Sequence, residues 1–228
     1  MSVDGCGYVQ IVDVFHVGGF EAVLREIPKF RSPPLFLPLM AFLMPFGVSA
    51  QTSAMVFVVT LGCLLPLLVF GISIEIFHCK KIALTAAWLM GINPTIISLA
   101  TEPQRDIIYL FFTACFLFFF CRILNYRHDG DWFFAGLCFS FAILNRYEAV
   151  EILPLFLFVV FYAALRGILS WKTFFRGNFL FLGTSCFSIV LLLLLTGAGF
   201  SFFQTCYDYY TQKYKTIETY YQQPNTGS

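Results

Sequence analysis

The sequence has little charge, and this scarcity is its most informative feature. Charged residues make up 12% of the 228 residues, whereas hydrophobic residues make up 59% and aromatic residues 19%. Soluble domains carry about 25% charged and roughly 45–50% apolar residues. The composition therefore excludes an ordinary soluble domain and indicates a chain that is surrounded by lipid.

Signatures of several other protein classes are also missing. The formal net charge is +1 and no basic run is interleaved with exposed aromatic residues, so we expect no nucleic-acid partner. The eight cysteines include no CxxC pair and no cysteine/histidine pair at metal-ligand spacing, and most lie in apolar runs. We interpret them as small buried hydrophobic residues, and a disulfide between Cys6 and Cys206 stays open.

Apolar runs that approach the length needed to cross a bilayer, about 20 residues, recur along the chain. The Asn93-Pro94 pair should break or kink one of them, because proline removes a hydrogen-bond donor and clashes with the preceding turn. Polar residues 145–151 predict a hinge between two adjacent crossings. The predicted fold is an all-α polytopic transmembrane helix bundle of about six crossings, at residues 52–77, 82–101, 107–124, 132–144, 152–165 and 178–200.

The N-terminal part of the chain has a different pattern. Apolar residues recur at roughly helical spacing over residues 8–27, which predicts an amphipathic surface helix interrupted at Gly18 and Gly19. Residues 31–46 are apolar but interrupted by four prolines, so we expect a re-entrant or interfacial element there. The predicted organisation is an outer-face loop, a transmembrane bundle and an outer-face tail at residues 1–51, 52–200 and 201–228.

The basic residues of the short loops predict the orientation in the membrane. One side holds only Arg105 and Arg146, and the other side holds Lys80, Lys81, Arg122, Arg127, Arg166, Lys172 and Arg176. Cytoplasmic loops are enriched in Lys and Arg, so the larger set should face the cytoplasm and the N-terminal segment should lie outside. Because residues 1–30 lack a signal peptide, we expect a further membrane helix upstream. The predicted location is the cell (inner/plasma) membrane.

Residues 101–106 form the first candidate site at the predicted outer face. Pro103 suits the first turn of the following helix. A helix N-terminus beside Arg105 is a favourable binding site for a phosphate. In the alternative interpretation, Glu102 and Asp106 only complement the helix dipole and Arg105 is solvated.

Residues 145–148 form the second candidate site. Asn145 and Glu148 fit a capping box, in which Asn145 caps a helix and Glu148 reaches back to its amide. A capping box does not explain Arg146, whose guanidinium group is permanently charged and lies at a hinge between two membrane segments. Phosphate is an obvious partner for such a guanidinium group.

Three short motifs follow one another along the chain. The first begins with Asp4 and Tyr8, continues as the expected surface helix and ends in the Pro-Pro-Leu-x-x-Pro run of residues 33–38. The second, residues 101–103, opens a Leu/Phe-rich crossing, and the third, residues 144–148, ends a later crossing. As an ordered set they resemble the polyprenyl-phosphate-sugar glycosyltransferases of the protein O-mannosyltransferase and aminoarabinose-transferase type.

The resemblance implies transfer of a sugar from a polyprenyl-phosphate donor to an unidentified acceptor at the outer face. Asp4 would be the catalytic general base that takes the proton of the acceptor nucleophile. Arg146 and Arg105 would hold the lipid phosphate and stabilise its charge as it leaves. A divalent cation at the acidic position of the second motif stays open, and no other cofactor is implied. Further candidates for substrate binding are Glu102, Lys29 and Tyr8.

Several alternatives remain open on the sequence. Members of the resembled family have a membrane helix before the first acidic residue and more crossings after the last one seen here, so we expect a fragment or truncated member, which could be inactive. A small transporter would need ionisable residues near the middle of the membrane and an internal repeat, and the sequence has neither. A non-catalytic membrane subunit would leave Asp4, Glu102 and Arg146 dispersed in space.

Overall fold

The computed structural model describes residues 3–26, 36–196 and 211. Residues 3–26 and 36–196 contain α-helices and short 3₁₀ helices and no β-strand, which confirms the predicted all-α class. Lys29 and Cys206 lie outside the described residues. The α-helices are α1 (Val3–Glu26), α2 (Phe36–Met40), α3 (Ala50–Phe77), α4 (Lys80–Gly91), α5 (Pro94–Ala100), α6 (Arg105–Tyr126), α7 (Asp129–Asn145), α8 (Ile152–Leu165) and α9 (Trp171–Thr196), and the 3₁₀ helices are Met44–Phe46 and Tyr147–Glu151.

The predicted polytopic membrane bundle is confirmed. Within the described residues, four segments are long and apolar enough to cross a membrane, and the bent pair of α4 and α5 is a fifth candidate. Helix α7, which we expected as a crossing, has 17 residues and rises roughly 25 Å, less than the roughly 30 Å of a bilayer core. The four segments are Ala50–Phe77, Arg105–Tyr126, Tyr147–Leu165 and Trp171–Leu195.

The break between α4 and α5 follows from the Asn93-Pro94 pair. Helix α4 ends at Gly91, α5 begins at Pro94, and the two axes are bent by 58°. The Asn93 side chain accepts hydrogen bonds from the backbone amides of Thr95 and Ile96, at 2.9 and 3.3 Å. It therefore caps the start of α5 while Pro94 occupies a position where no amide hydrogen is needed.

Two other boundaries show how local sequence shapes the helices. Helix α1 is interrupted at Gly19, whose φ of 68° lies in the left-handed region, as the sequence predicts. Helix α9 begins at Trp171 rather than at residue 178, because Ser170 accepts a hydrogen bond from the amide of Thr173 at 3.1 Å and so caps a helix there. Lys172 and Arg176 therefore belong to the first turns of α9.

Polar contacts link the loops at one end of the bundle. Asn125, near the end of α6, donates to the backbone carbonyl and to the carboxylate of Glu75 near the end of α3, each at 2.9 Å. Arg176 in α9 pairs with Asp129 at the start of α7. These contacts join helix ends next to the loops that the sequence assigns to the cytoplasmic side. The loop between α5 and α6 and the junction between α7 and α8 lie at the opposite end of the bundle.

Aromatic side chains hold α7 between its neighbours. Phe116 of α6, Phe156 of α8 and Phe181 of α9 are all buried, and their ring centroids lie 4.5–6.2 Å apart. Trp132 of α7 is fully buried beside them, with its ring centroid 6.2 Å from that of Phe156. Aromatic pairs at such distances are stabilising beyond the area they bury. This packing fixes the position of α7, whose C-terminal end leads directly to Arg146.

Candidate functional site

Arg146 is the centre of a charged cluster at the junction between α7 and α8. It follows the last residue of α7 in an extended conformation, with φ −147° and ψ 124°. Its Nη1 atom lies 2.9 Å from Oδ1 of Asp106, and its guanidinium carbon lies 5.7 Å from the ring centroid of Tyr109. Its Nε atom lies 3.8 Å from Oε2 of Glu148. Helix packing thus brings together the two polar patches that the sequence singled out.

The cluster contains buried polar atoms without hydrogen bonds. Within the described residues, Oδ1 of Asp106, Oδ1 of Asn145 and Nε of Arg146 are buried and have no hydrogen-bond partner. The Arg146–Asp106 contact is therefore an ion pair that lacks the alignment of a directed hydrogen bond. An unsatisfied buried polar group costs about 1–3 kcal/mol. A ligand that supplies acceptor oxygens to Arg146 would remove part of that cost.

The capping box predicted for residues 145–148 is wrong. Asn145 is the last residue of α7, and its amide group donates to the carbonyl of Phe141 at 2.7 Å instead of capping a new helix. The extended residue that precedes the following 3₁₀ helix is Arg146, and the carboxylate of Glu148 lies near its guanidinium group. Helix α7 is one residue longer than the capping box requires, so Asn145 keeps helical geometry.

Sequence reasoning missed Asp106 and Tyr109 as neighbours of Arg146. Both lie in the first turns of α6, where Asp106 was considered only as a partner of the helix dipole. The sequence contained one signal for this pairing. Asp106 lies at the start of one crossing, Arg146 lies at the end of the next, and both were predicted at the outer face of the membrane. The pairing itself depends on how α6 and α7 pack.

Glu102 and Arg105 lie in the loop and first turn that precede Asp106. Both are half-buried, and Glu102 accepts a hydrogen bond of 2.7 Å from the side-chain amide of Gln104. Arg105 is the first residue of α6 and forms no ion pair or hydrogen bond with any described residue. It is therefore an uncompensated positive charge at the same end of the bundle as Arg146.

The remaining candidates are on the N-terminal segment. Tyr8 is half-buried on α1 and packs against the hydrophobic core. The backbone of Asp4 lies in the first turn of α1, and its side chain is not among those described. Lys29 lies outside the described residues. Their role in a site therefore stays a prediction from the sequence.

An apolar cavity lies between α3 and the break that separates α4 from α5. Its volume is about 220 Å³, and its walls include Gly62 and Pro66 of α3, Met90 of α4 and Ile96 of α5. Thr101, which begins the loop to Glu102 and Arg105, also lines it. The cavity is therefore apolar and reaches the start of the polar loop.

No group of three or more His, Cys, Asp or Glu side chains that could hold a metal ion occurs among the described residues. The chemistry available at this end of the bundle is that of two arginines and their neighbouring carboxylates, which suits an anionic ligand with several oxygens.

Comparison with known proteins assigns the chain to a family. Neither a curated protein nor a solved structure shows a significant match to it. A family model described as dolichyl-phosphate-mannose-protein mannosyltransferase matches residues 31–195, which is more than two thirds of the chain and includes Glu102, Arg105 and Arg146. The match begins after Asp4, Tyr8 and Lys29. The chain therefore belongs to the dolichyl-phosphate-mannose-protein mannosyltransferase family of membrane glycosyltransferases.

Proposed function

We propose that the chain transfers a sugar from a polyprenyl-phosphate donor to an acceptor at the outer face of the cell membrane. The proposal rests on one observation at Arg146. The Nε donor of its guanidinium group is buried and has no hydrogen-bond partner among the described residues. In a family whose description names a lipid-phosphate sugar, the phosphate of the donor is the ligand that such a group would bind.

The neighbours of Arg146 support a phosphate-binding role. Asp106 contacts Nη1 and Tyr109 lies against the guanidinium carbon at 5.7 Å, so one edge and one face of the group are held in place. Glu148 lies 3.8 Å from Nε. Nη2 has no contact with a described carboxylate and is the donor that remains for phosphate oxygens. A second positive charge is supplied by Arg105, which has no partner among the described residues. Two arginines offset the negative charge that builds on the phosphate as the sugar leaves.

The reaction follows from this arrangement. An oxygen of the acceptor attacks the anomeric carbon of the sugar, and the bond between that carbon and the phosphate oxygen breaks. The phosphate keeps the electron pair and remains on the polyprenyl chain, while Arg146 and Arg105 stabilise its charge. Asp4 takes the proton of the acceptor as general base, a role that rests on the motif resemblance. The products are a glycosylated acceptor and a polyprenyl phosphate.

The apolar cavity beside the α4–α5 break supports a lipid-linked donor. Its volume is about 220 Å³ and its walls are mostly hydrophobic. It reaches Thr101 at the start of the loop that carries Glu102. We expect the first isoprene units of the donor to occupy it, with the phosphate at the arginines and the sugar near Glu102. Burial of apolar surface at about 25 cal/mol per Å² would then contribute to donor binding.

The proposal is tested by donor turnover. Purified chain in lipid nanodiscs is given dolichyl-phosphate-mannose together with hydroxyl-bearing peptides as acceptors. The formation of dolichyl phosphate is measured for wild type, Arg146→Ala and Arg146→Lys. We expect Arg146→Ala to lower turnover about 100-fold or more, as for loss of one transition-state donor. Arg146→Lys should recover part of the rate, because it keeps the charge and loses the planar fork.

Arg166→Ala is the matched control. Arg166 also lies 5.7 Å over a tyrosine ring, that of Tyr162, but it is exposed at the opposite end of the bundle. Its removal should leave turnover unchanged. Equal turnover of wild type and Arg146→Ala would refute the assigned role of Arg146. An absence of turnover in wild type with the protein folded would favour a non-catalytic membrane subunit.

A further inference from the structure

A polar cavity lies at the end of the bundle opposite to Arg146. Its volume is about 260 Å³, and its walls come from the turn between α6 and α7 and from the first turns of α9. The proposed donor site is at the other end, so this cavity has no part in it. The residues that line it are Arg127, His128, Asp129, Lys172, Thr173 and Arg176.

The cavity carries uncompensated positive charge. Arg176 forms an ion pair with Asp129, which cancels one charge of each sign. Arg127 and Lys172 are exposed, and neither forms an ion pair or hydrogen bond with any described residue. Two basic side chains therefore line the same small volume, and its only lining acid, Asp129, is paired with Arg176. Such basic pockets between transmembrane helices bind the head groups of anionic lipids.

An apolar groove lies between the same two helices, α7 and α9. Its volume is about 430 Å³, and it is lined by Phe133 and Leu137 of α7 and by Phe179, Gly183 and Phe187 of α9 among others. The side chains of Phe179 and Phe187 are 81% and 67% exposed, so the described part of the protein leaves this surface open. A groove of this kind suits a hydrocarbon chain.

The polar cavity and the apolar groove follow one another along the same two helices, and we call the two together the α7–α9 seam. Arg176, Phe179 and Gly183 are spaced by three and four residues, so they share one face of α9. Asp129, Phe133 and Leu137 share one face of α7 by the same rule. From residue 176 to residue 187, α9 rises roughly 16 Å, close to the roughly 15 Å depth of one leaflet of the hydrocarbon core.

We propose that the α7–α9 seam binds one anionic phospholipid. Its head-group phosphate occupies the cationic cavity beside Arg127 and Lys172, and one acyl chain lies along the groove past Phe179 and Gly183. The polar cavity lies at the membrane surface, where a phospholipid has its head group. The apolar groove lies below it, where the lipid has its acyl chains. A free phosphate would use the cavity and leave the groove empty.

The experiment measures lipid binding to the purified chain in detergent by native mass spectrometry. The probes are dioleoylphosphatidylglycerol, dioleoylphosphatidylcholine with the same acyl chains, and inorganic phosphate as a competitor. We expect phosphatidylglycerol to bind more tightly, and the double variant Arg127→Gln/Lys172→Gln to weaken its binding roughly 30-fold, from about 1 kcal/mol for each basic residue. Phosphatidylcholine binding should change little.

Two further variants separate the explanations. Lys80→Gln/Lys81→Gln removes the same charge at the same end of the bundle, outside the cavity, and should leave phosphatidylglycerol binding nearly unchanged. Gly183→Leu should weaken it by filling the groove, and it should fold because a Cβ at Gly183 has no neighbour within 4 Å. Equal weakening by the lysine pair would overturn the proposal. So would displacement of the lipid by inorganic phosphate together with an unaffected Gly183→Leu variant.

Discussion

The close contact between α7 and α9 predicts different effects of the same substitution at two glycines. A Cβ atom at Gly136 would lie 2.6 Å from the backbone oxygen of Phe181 and 3.2 Å from side-chain atoms of Thr184 and Ser185. A Cβ atom at Gly183, which lies beside this contact and lines the open groove of the α7–α9 seam, would meet nothing within 4 Å. Gly136→Ala therefore forces a helix backbone to move, whereas Gly183→Ala does not.

The size of the difference follows from two effects. Alanine is favoured over glycine inside a helix by about 1 kcal/mol, and this gain applies equally at both positions. Overpacking of a filled interface costs about 1–3 kcal/mol, and it applies only at Gly136. Ser140 and Ser185 also donate hydrogen bonds to the carbonyl of Gly136, at 2.7 and 3.1 Å, and these would be strained. Gly136→Ala should therefore be less stable than Gly183→Ala by about 1–3 kcal/mol.

The assay is unfolding by sodium dodecyl sulfate, followed by tryptophan fluorescence. The chain has three tryptophans, and Trp132 is fully buried beside α9, whereas Trp88 and Trp171 are 63% and 46% exposed. The largest signal should therefore come from Trp132 as α7 separates from α9. A Gly136→Ala variant as stable as Gly183→Ala would show that the two helices are not in close contact, and it would remove the argument that packing positions Arg146.

Three further predictions use the same unfolding assay. Arg122→Gln should destabilise by about 2 kcal/mol, which is less than the ~3–5 kcal/mol for a fully buried pair. The reason is that the buried Asp131 carboxylate, 6% exposed, loses the Nε donor at 2.9 Å. A neutral effect would contradict the pairing. Asn93→Ala should cost about 1 kcal/mol through loss of the α5 cap, and an unchanged midpoint would count against that cap. Asn125→Ala should cost about 1 kcal/mol by removing both hydrogen bonds to Glu75, and a stabilising effect would disprove the contact.

The helical framework was accessible from the sequence because lipid imposes a simple rule on long apolar runs. The kink at Asn93-Pro94 and the interruption at Gly19 were predicted correctly, since proline and glycine act locally on the backbone. The start of α9 was predicted too late, because basic residues lower the hydropathy of a segment that is nevertheless helical and capped by Ser170.

The details of the candidate site were less accessible. Arg146 was selected because a permanent charge between two membrane segments calls for a partner. Its ion-pair partner Asp106 is far away in sequence, and their contact depends on the packing of α6 against α7. Tyr109 was missed for the same reason. The capping box failed because a sequence pattern alone does not fix the residue at which α7 ends.

The most direct test of the account is whether Arg146 binds the phosphate of a polyprenyl lipid. Binding of dolichyl phosphate and of dolichol to the purified chain is compared for wild type and Arg146→Gln, with Arg127→Gln/Lys172→Gln as a control for the α7–α9 seam. The account predicts that wild type and the control variant prefer dolichyl phosphate to dolichol and that Arg146→Gln loses this preference. Equal binding of both lipids by wild type, or an unchanged preference in Arg146→Gln, would contradict it.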